Sequence, residues 1–231
     1  MRLELIHSLR YLIIAFLSYI ITVTFAGWFE SFVALQVGDE TPADSGFLTL
    51  NPLDHFNVIG FAVVLWGLFY TQFSTFQFMP GWGRHIPLMP DTLRGKHLRK
   101  RIFIEYIGRS FGHLIILIST AIVMIQIAGV FNIEAMMVMM NASTSSFTES
   151  MMVLFLFLFQ QNFVLFVIHF VLGIFKTLLY FHGPQFQEMT IQTMLFGFIG
   201  FMIGFILLSP ILETFVLVLI KYIQSIMLYL R

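Results

Sequence analysis

The sequence has no cysteine and little charge. Because none of its 231 residues is cysteine, disulfide bonds, thiolate metal ligands and cysteine nucleophiles are excluded. Only 10% of the residues are charged, against about 25% in a typical soluble domain. The twelve basic and twelve acidic residues cancel, so bulk charge does not indicate nucleic-acid binding.

Apolar residues take the place of the missing charge. Hydrophobic side chains make up 58% of the chain, and its mean hydropathy is +0.90. These values predict an integral membrane protein, and the length fits one helical membrane domain without a sizeable soluble one. The first apolar run continues without a small-residue cleavage site, so we expect an uncleaved first helix.

The hydropathy pattern predicts an all-α, polytopic membrane helical bundle in a single domain, residues 1–231. About six transmembrane helices are expected, with the bounds 8–36, 57–79, 102–131, 151–181, 190–208 and 211–230. The N-terminus, the 80–101 connector and the C-terminus are basic, whereas the 37–56 and 132–150 loops are acidic or neutral. By the positive-inside rule, both termini are expected in the cytoplasm.

The connector at 80–101 carries most of the positive charge. Its prolines exclude a regular helix in the first half. A cluster of basic residues follows, which we take as a candidate contact for a partner or for lipid: Arg94, Lys96, Arg99, Lys100 and Arg101. Such a loop is typical of a cytoplasmic topology signal with anionic-lipid contact. A nucleic-acid interface is the less favoured interpretation.

Polar and small residues also occur within the predicted spans. Glu105 and Arg109 have the spacing of a pair on one helix side, and we expect an interfacial ion pair. Gly108 and Gly112 let another helix approach closely, so we count them as candidate partner contacts. The Gln160-Gln161-Asn162 run is expected to hydrogen-bond to neighbouring helices. A ligand site there is the alternative.

A polar segment, residues 37–60, interrupts the apolar sequence and contains distinctive motifs. It contains Gly38-Asp39, then Gly46-Phe47-Leu48-Thr49-Leu50-Asn51-Pro52-Leu53-Asp54-His55, then Gly60. This stretch resembles the segment after the zinc motif in bacterial site-2 protease-like intramembrane metallopeptidases. The likeness continues through Gly81-Trp82, the basic run and residues 107–112, and it implies a site-2 protease-like core. The retained family positions are Gly38, Asp39, Asn51, Pro52, His55 and Gly60.

The residues that carry out that family's chemistry are missing. The resemblance places the family's His-Glu-x-x-His motif on Ala26-Gly27-Trp28-Phe29-Glu30. Both zinc-binding histidines are therefore replaced, and glycine stands in place of the general base. The segment that matches the third ligand, Lys176 to Gly183, contains His182 but no aspartate. Zinc hydrolysis by the family mechanism is excluded, and we predict a pseudoenzyme.

The remaining histidines do not suggest a replacement metal site. His55, His113, His169 and His182 are not spaced as local pairs on one helix. We interpret them as structural residues, with His55 stabilising its loop. We accordingly predict no metal ion and no cofactor.

The function we expect is binding rather than catalysis. The chain would be a structural or assembly subunit of a larger membrane complex, or a pseudoprotease that holds transmembrane segments. Its partners would be membrane lipids and other membrane subunits, and not nucleic acid. The membrane would be a bacterial inner membrane or one derived from it. The alternative is a small transporter or channel component, with residues 160–162, His169 and Lys176 along a polar path.

Overall fold

A computed structural model describes residues 2–70, 80–128 and 147–182, together with the isolated helical positions Thr214, Val218 and Ser225. Within these residues the secondary structure is helical and contains no strand, which confirms the all-α prediction for this part of the chain. The helices are α1 (Arg2–Val37), α2 (Thr41–Asp44), α3 (Pro52–His55), α4 (Val58–Tyr70), α5 (Leu98–Ala128) and α6 (Phe147–His182), with a 3₁₀ turn at Pro90–Thr92.

Three of these helices are long and apolar enough to cross a membrane, which is compatible with an integral membrane protein. They are Leu9–Val37, Leu98–Met124 and Ser150–Phe181, and they correspond to the predicted first, third and fourth spans. The helix that corresponds to the predicted span 102–131 begins at Leu98, four residues before the predicted start. Arg and Lys are good helix formers and extend the apolar helix at its basic end.

The other predicted spans are covered only in part. The second contains the shorter apolar helix Val58–Phe69, and its remaining residues, 71–79, lie outside the described chain. The predicted spans 190–208 and 211–230 also lie outside it, except for the three isolated positions.

The core forms where α1, α5 and α6 pack against one another. Apolar side chains of all three helices meet there, and α4 adds one more. The fully or largely buried members are Ile14, Ala15, Tyr19, Val23, Val64, Ile116, Val153, Leu154, Phe157 and Leu158. Burial of these side chains fixes which faces of the three long helices point inward.

Tyr19 of α1 contacts two other segments, the loop before α4 and the 80–101 connector. Its buried hydroxyl accepts a hydrogen bond from the Asn57 N–H at 3.1 Å. The same hydroxyl lies 2.8 Å from the Asn57 carbonyl and 2.9 Å from the Trp82 carbonyl. Gly60 approaches Trp82 so closely that a Cβ atom at Gly60 would lie 1.9 Å from that carbonyl oxygen. Only glycine therefore fits at this contact.

The predicted close approach at Gly108 and Gly112 is confirmed, and the helix that approaches is α1. A Cβ atom at Gly112 would lie 2.9 Å from the Ala26 Cα atom, and one at Gly108 would lie 3.2 Å from the Val33 side chain. Both glycines are buried within the chain. They are therefore internal packing positions, and the prediction that they contact a partner is corrected.

Gly112→Ala tests this contact between α1 and α5. Alanine normally stabilises a helix relative to glycine by about 1 kcal/mol. Here the added methyl group meets the α1 backbone, so we expect the free energy of unfolding to fall by about 1–3 kcal/mol instead. Denaturation of the detergent-solubilised protein measures it, with exposed Ser119→Ala on the same helix as the control. A Gly112→Ala protein as stable as wild type would contradict the contact.

Candidate functional site

The positions that match the zinc motif lie where α1 meets α5 and the α3 loop. Ala26 is 1% exposed and packs against the backbone at Gly112. Gly27 faces the ring of His55, and a Cβ atom at Gly27 would lie 2.4 Å from the His55 Nδ1 atom. His55 thus takes up the space that a side chain at position 27 would need.

Glu30, the last position of this set, forms an ion pair with Arg109. The Arg109 Nε atom donates to the Glu30 Oε2 atom at 2.6 Å, and the two side chains are only 12% and 9% exposed. Arg109 also donates to the Arg84 carbonyl at 3.1 Å. A charge-assisted bond of this kind is among the stronger hydrogen bonds in a protein.

The predicted pair between Glu105 and Arg109 is therefore wrong. The i, i+4 spacing allowed that pair, but tertiary packing brings Glu30 of α1 to Arg109 instead. Glu105 is fully buried, and its carboxyl group shares a hydrogen bond with the carboxylate of Asp39. A hydrogen bond between two carboxyl groups requires that one of them carry a proton.

His182 does not lie with Ala26, Gly27 and Glu30. It is the last residue of α6, thirteen residues after His169, which corresponds to about 20 Å of helix. His169 lines the same small cavity as Gly27. His182 therefore lies about 20 Å from this cavity along the axis of α6. Within the described residues, no group of three or more His, Cys, Asp or Glu side chains has the arrangement of a metal site.

A row of buried polar side chains crosses the bundle next to these positions. The Asn162 amide donates to the Thr22 hydroxyl at 2.9 Å, and its carbonyl oxygen lies 2.9 Å from the His113 Nδ1 atom. Ser18 donates to the Gln161 carbonyl oxygen at 2.9 Å. The prediction that Gln161 and Asn162 hydrogen-bond to neighbouring helices is confirmed. Each bond joins α6 to another helix and so fixes their relative positions.

A small cavity lies between this polar row and the ion pair. Its volume is about 10 Å³, which is close to the lower limit for one water molecule. The buried His113 Nε2 atom has no hydrogen-bond partner within the described chain. The His169 ring stacks on His113, with centroids 5.1 Å apart and planes at 12°. The lining includes Gly27, Trp82, Arg109, His113 and His169.

Sequence reasoning did not bring His113 and His169 together. They lie on different helices and far apart in the chain, so no local spacing could reveal the contact. The available signal was the pair of polar residues Gln161 and Asn162 within an apolar run. It indicated buried hydrogen bonds on α6 but did not identify the histidine that completes them.

Gly38 and Asp39 connect the end of α1 to the connector. Gly38 has a φ of +99°, which glycine adopts readily at the end of a helix. Arg101 donates to the Val37 carbonyl beside it. The Asp39 carboxylate accepts from the Met89 N–H at 2.7 Å and from the Thr41 N–H at 3.0 Å. Burial opposes ionisation of Asp39, but hydrogen bonds from Thr41 and Met89 outweigh it and lower its pKa.

Asn51, Pro52 and His55 build the short helix α3. The Asn51 side chain accepts from the Leu53 N–H at 3.3 Å, and Pro52 takes the first helical position. The His55 Nε2 atom lies 2.8 Å from the Thr49 carbonyl, which is consistent with the loop role predicted for His55. Burial lowers the pKa of His55.

Four of the five predicted basic contact residues are exposed: Arg94, Lys96, Arg99 and Lys100. Arg101 differs from them because its guanidinium group donates to the Val37 and Arg94 carbonyls. The guanidinium group of Arg101 is therefore used in hydrogen bonds within the fold. The other four side chains remain accessible to a ligand at the surface.

No protein-family model, curated protein or solved structure matches the chain. The resemblance to site-2 proteases thus stays a prediction that depends on the sequence motifs.

The Glu30–Arg109 ion pair can be tested by a double-mutant cycle. Glu30→Gln or Arg109→Met alone leaves a buried charge without its partner, so each is expected to lower the free energy of unfolding by about 3 kcal/mol. The double variant should lose clearly less than the sum of the two, because neither charge is left alone. Denaturation in mixed micelles gives these values. Additive losses would show that the two side chains do not interact.

Acid should destabilise the protein through His55. Because burial lowers the pKa of this histidine, the unfolded chain takes up a proton there more readily than the folded one. The contribution of His55 to stability is complete above about pH 6.5 and is lost as the pH falls below it. Thermal unfolding midpoints at pH 7.5 and 5.0 measure this loss. His55→Gln should show a smaller loss than wild type; an unchanged loss would contradict the assignment.

Proposed function

We propose that the chain is a catalytically inactive, site-2 protease-like membrane protein that works by binding. It would serve as a structural or assembly subunit of a larger membrane complex. The observation that carries this proposal is the packing at the former zinc motif. His55 takes up the space beside Gly27, and Arg109 engages Glu30.

A hydrolase of the resembled family needs a carboxylate that is free to activate a metal-bound water. Glu30 is the carboxylate among the positions that match the zinc motif, and the largely buried Arg109 neutralises it at 2.6 Å. The small cavity next to Arg109, about 10 Å³, is close to the lower limit for one water molecule. These features support a scaffold whose centre stabilises the fold.

Candidate binding surfaces lie on the outer faces of α5 and α6. On α5, Phe111, Ile115, Ile118 and Ile122 are between 39% and 52% exposed, and their spacing puts them on one helix face. On α6, Val171 and Phe175 are 57% and 52% exposed. In a membrane such faces meet either lipid or the helix of a partner. A partner subunit and a held transmembrane segment would both use them.

Purification from native membranes in a mild detergent, followed by native mass spectrometry, tests the proposal. We expect other membrane proteins to remain bound at a fixed stoichiometry. Ile118→Ala/Ile122→Ala removes apolar contacts from the α5 face, and Val171→Ala/Phe175→Ala removes them from the α6 face. We expect one of the two double variants to lose the partner and the other to keep it. A single protomer with bound zinc, or a chelator-sensitive cleavage of a membrane substrate, would contradict the proposal.

A transporter or channel component is the second candidate, and the buried polar row favours it. Polar and ionisable side chains inside a membrane often mark transport pathways. Against transport, the Gln161 carbonyl oxygen and the Asn162 side chain are already hydrogen-bonded within the bundle. Ion flux into liposomes separates the two functions: a flux abolished by His169→Ala or Lys176→Gln would favour transport, and flux equal to that of empty liposomes would favour the scaffold.

A further inference from the structure

We propose that the exposed cations before and at the start of α5 bind the phosphate headgroups of anionic lipids. These cations, called here the connector patch, are Arg94, Lys96, Arg99 and Lys100. All four are exposed, and none forms an ion pair within the described residues. Arginine and lysine donate strong, charge-assisted hydrogen bonds to phosphate oxygens. The patch therefore matches an anionic ligand that carries phosphate.

Little negative charge offsets the connector patch. Asp91 is the only acidic residue between positions 80 and 101. Its carboxylate accepts a hydrogen bond of 2.6 Å from the Tyr180 hydroxyl of α6. This bond holds Asp91 beside α6. The single negative charge of Asp91 stands against six lysines and arginines between positions 80 and 101, so the connector is net positive.

The loop that carries the patch is anchored to the rest of the fold. Arg101 bonds the Arg94 and Val37 carbonyls, so it joins the patch to the end of α1. Leu93 is 3% exposed and packs with Val37 and Ile102. A surface held in this way loses less conformational entropy when it binds a ligand than a free loop would.

The patch also lies at the depth where lipid headgroups are expected. The candidate span Leu98–Met124 begins inside it, and Leu98 is 37% exposed. The Arg99 guanidinium lies 5.5 Å from the centre of the Phe181 ring, at the end of the candidate span Ser150–Phe181. Two apolar helices therefore end beside the cations. A phosphate bound there would belong to a lipid whose acyl chains cover those helices.

Lipid titration of the full-length protein in neutral detergent, followed by native mass spectrometry, tests this proposal. Wild type is expected to bind phosphatidylglycerol more tightly than phosphatidylcholine. Lys96→Gln/Lys100→Gln removes two surface charges and should weaken phosphatidylglycerol binding about thirtyfold, with phosphatidylcholine binding unchanged. Lys96→Arg/Lys100→Arg should restore the preference. In wild type the preference should also decrease as salt is added, which tests the proposal without any variant.

A control variant removes a charge elsewhere. Arg84→Gln changes one exposed cation outside the patch and should keep the lipid preference, whereas Lys96→Gln alone should weaken phosphatidylglycerol binding about fivefold. An equal loss in this control, or no preference in wild type, would overturn the proposal. Displacement of the lipid by millimolar glycerol 3-phosphate would reassign the patch to soluble phosphates. Binding of a single-stranded oligonucleotide that Lys96→Gln/Lys100→Gln abolishes would reassign it to nucleic acid.

Discussion

The ion pair between Glu30 and Arg109 is the interaction on which the centre of the bundle depends. Two charges among apolar helices are tolerable only when each neutralises the other at short range. That range is reached because Gly108 and Gly112 let α5 come within contact of α1 on either side of Arg109. The glycines and the ion pair are therefore one constraint: without the close approach, the charges would be separated in a medium that cannot solvate them.

The same need to satisfy polar groups explains how the loops are attached. The segment between α1 and α4 and the start of the connector expose backbone donors and acceptors next to apolar helices. Tyr19 bonds to both segments, and the Arg84 N–H donates to the His55 carbonyl at 2.8 Å. Each of these hydrogen bonds supplies a partner to a backbone polar group that lipid could not satisfy. Gly60 is needed there because the two backbones touch.

Hydropathy was sufficient to predict α1, α5 and α6, since a long apolar run has few other stable forms in a membrane. Local spacing was less informative at the site. It favoured Glu105 as the partner of Arg109, although Glu30 on another helix takes that place. It could not pair His113 with Asn162 or stack it on His169, because those contacts depend on how α5 and α6 are rotated about their axes. Such rotations follow from the whole core and not from a motif.

The contact between Gly27 and His55 closes the space in which the resembled family carries its general base. A glutamate at position 27 would now collide with the His55 ring, whose Nε2 atom is engaged by the Thr49 carbonyl. A histidine in place of Glu30 would also leave Arg109 without its partner and so bury an unpaired charge. Introducing a zinc motif at residues 26–30 would therefore disturb both the α3 loop and the α1–α5 crossing. Ala26, Gly27 and Glu30 each take part in the packing around them, so the stability of this fold depends on the residues that stand at these positions.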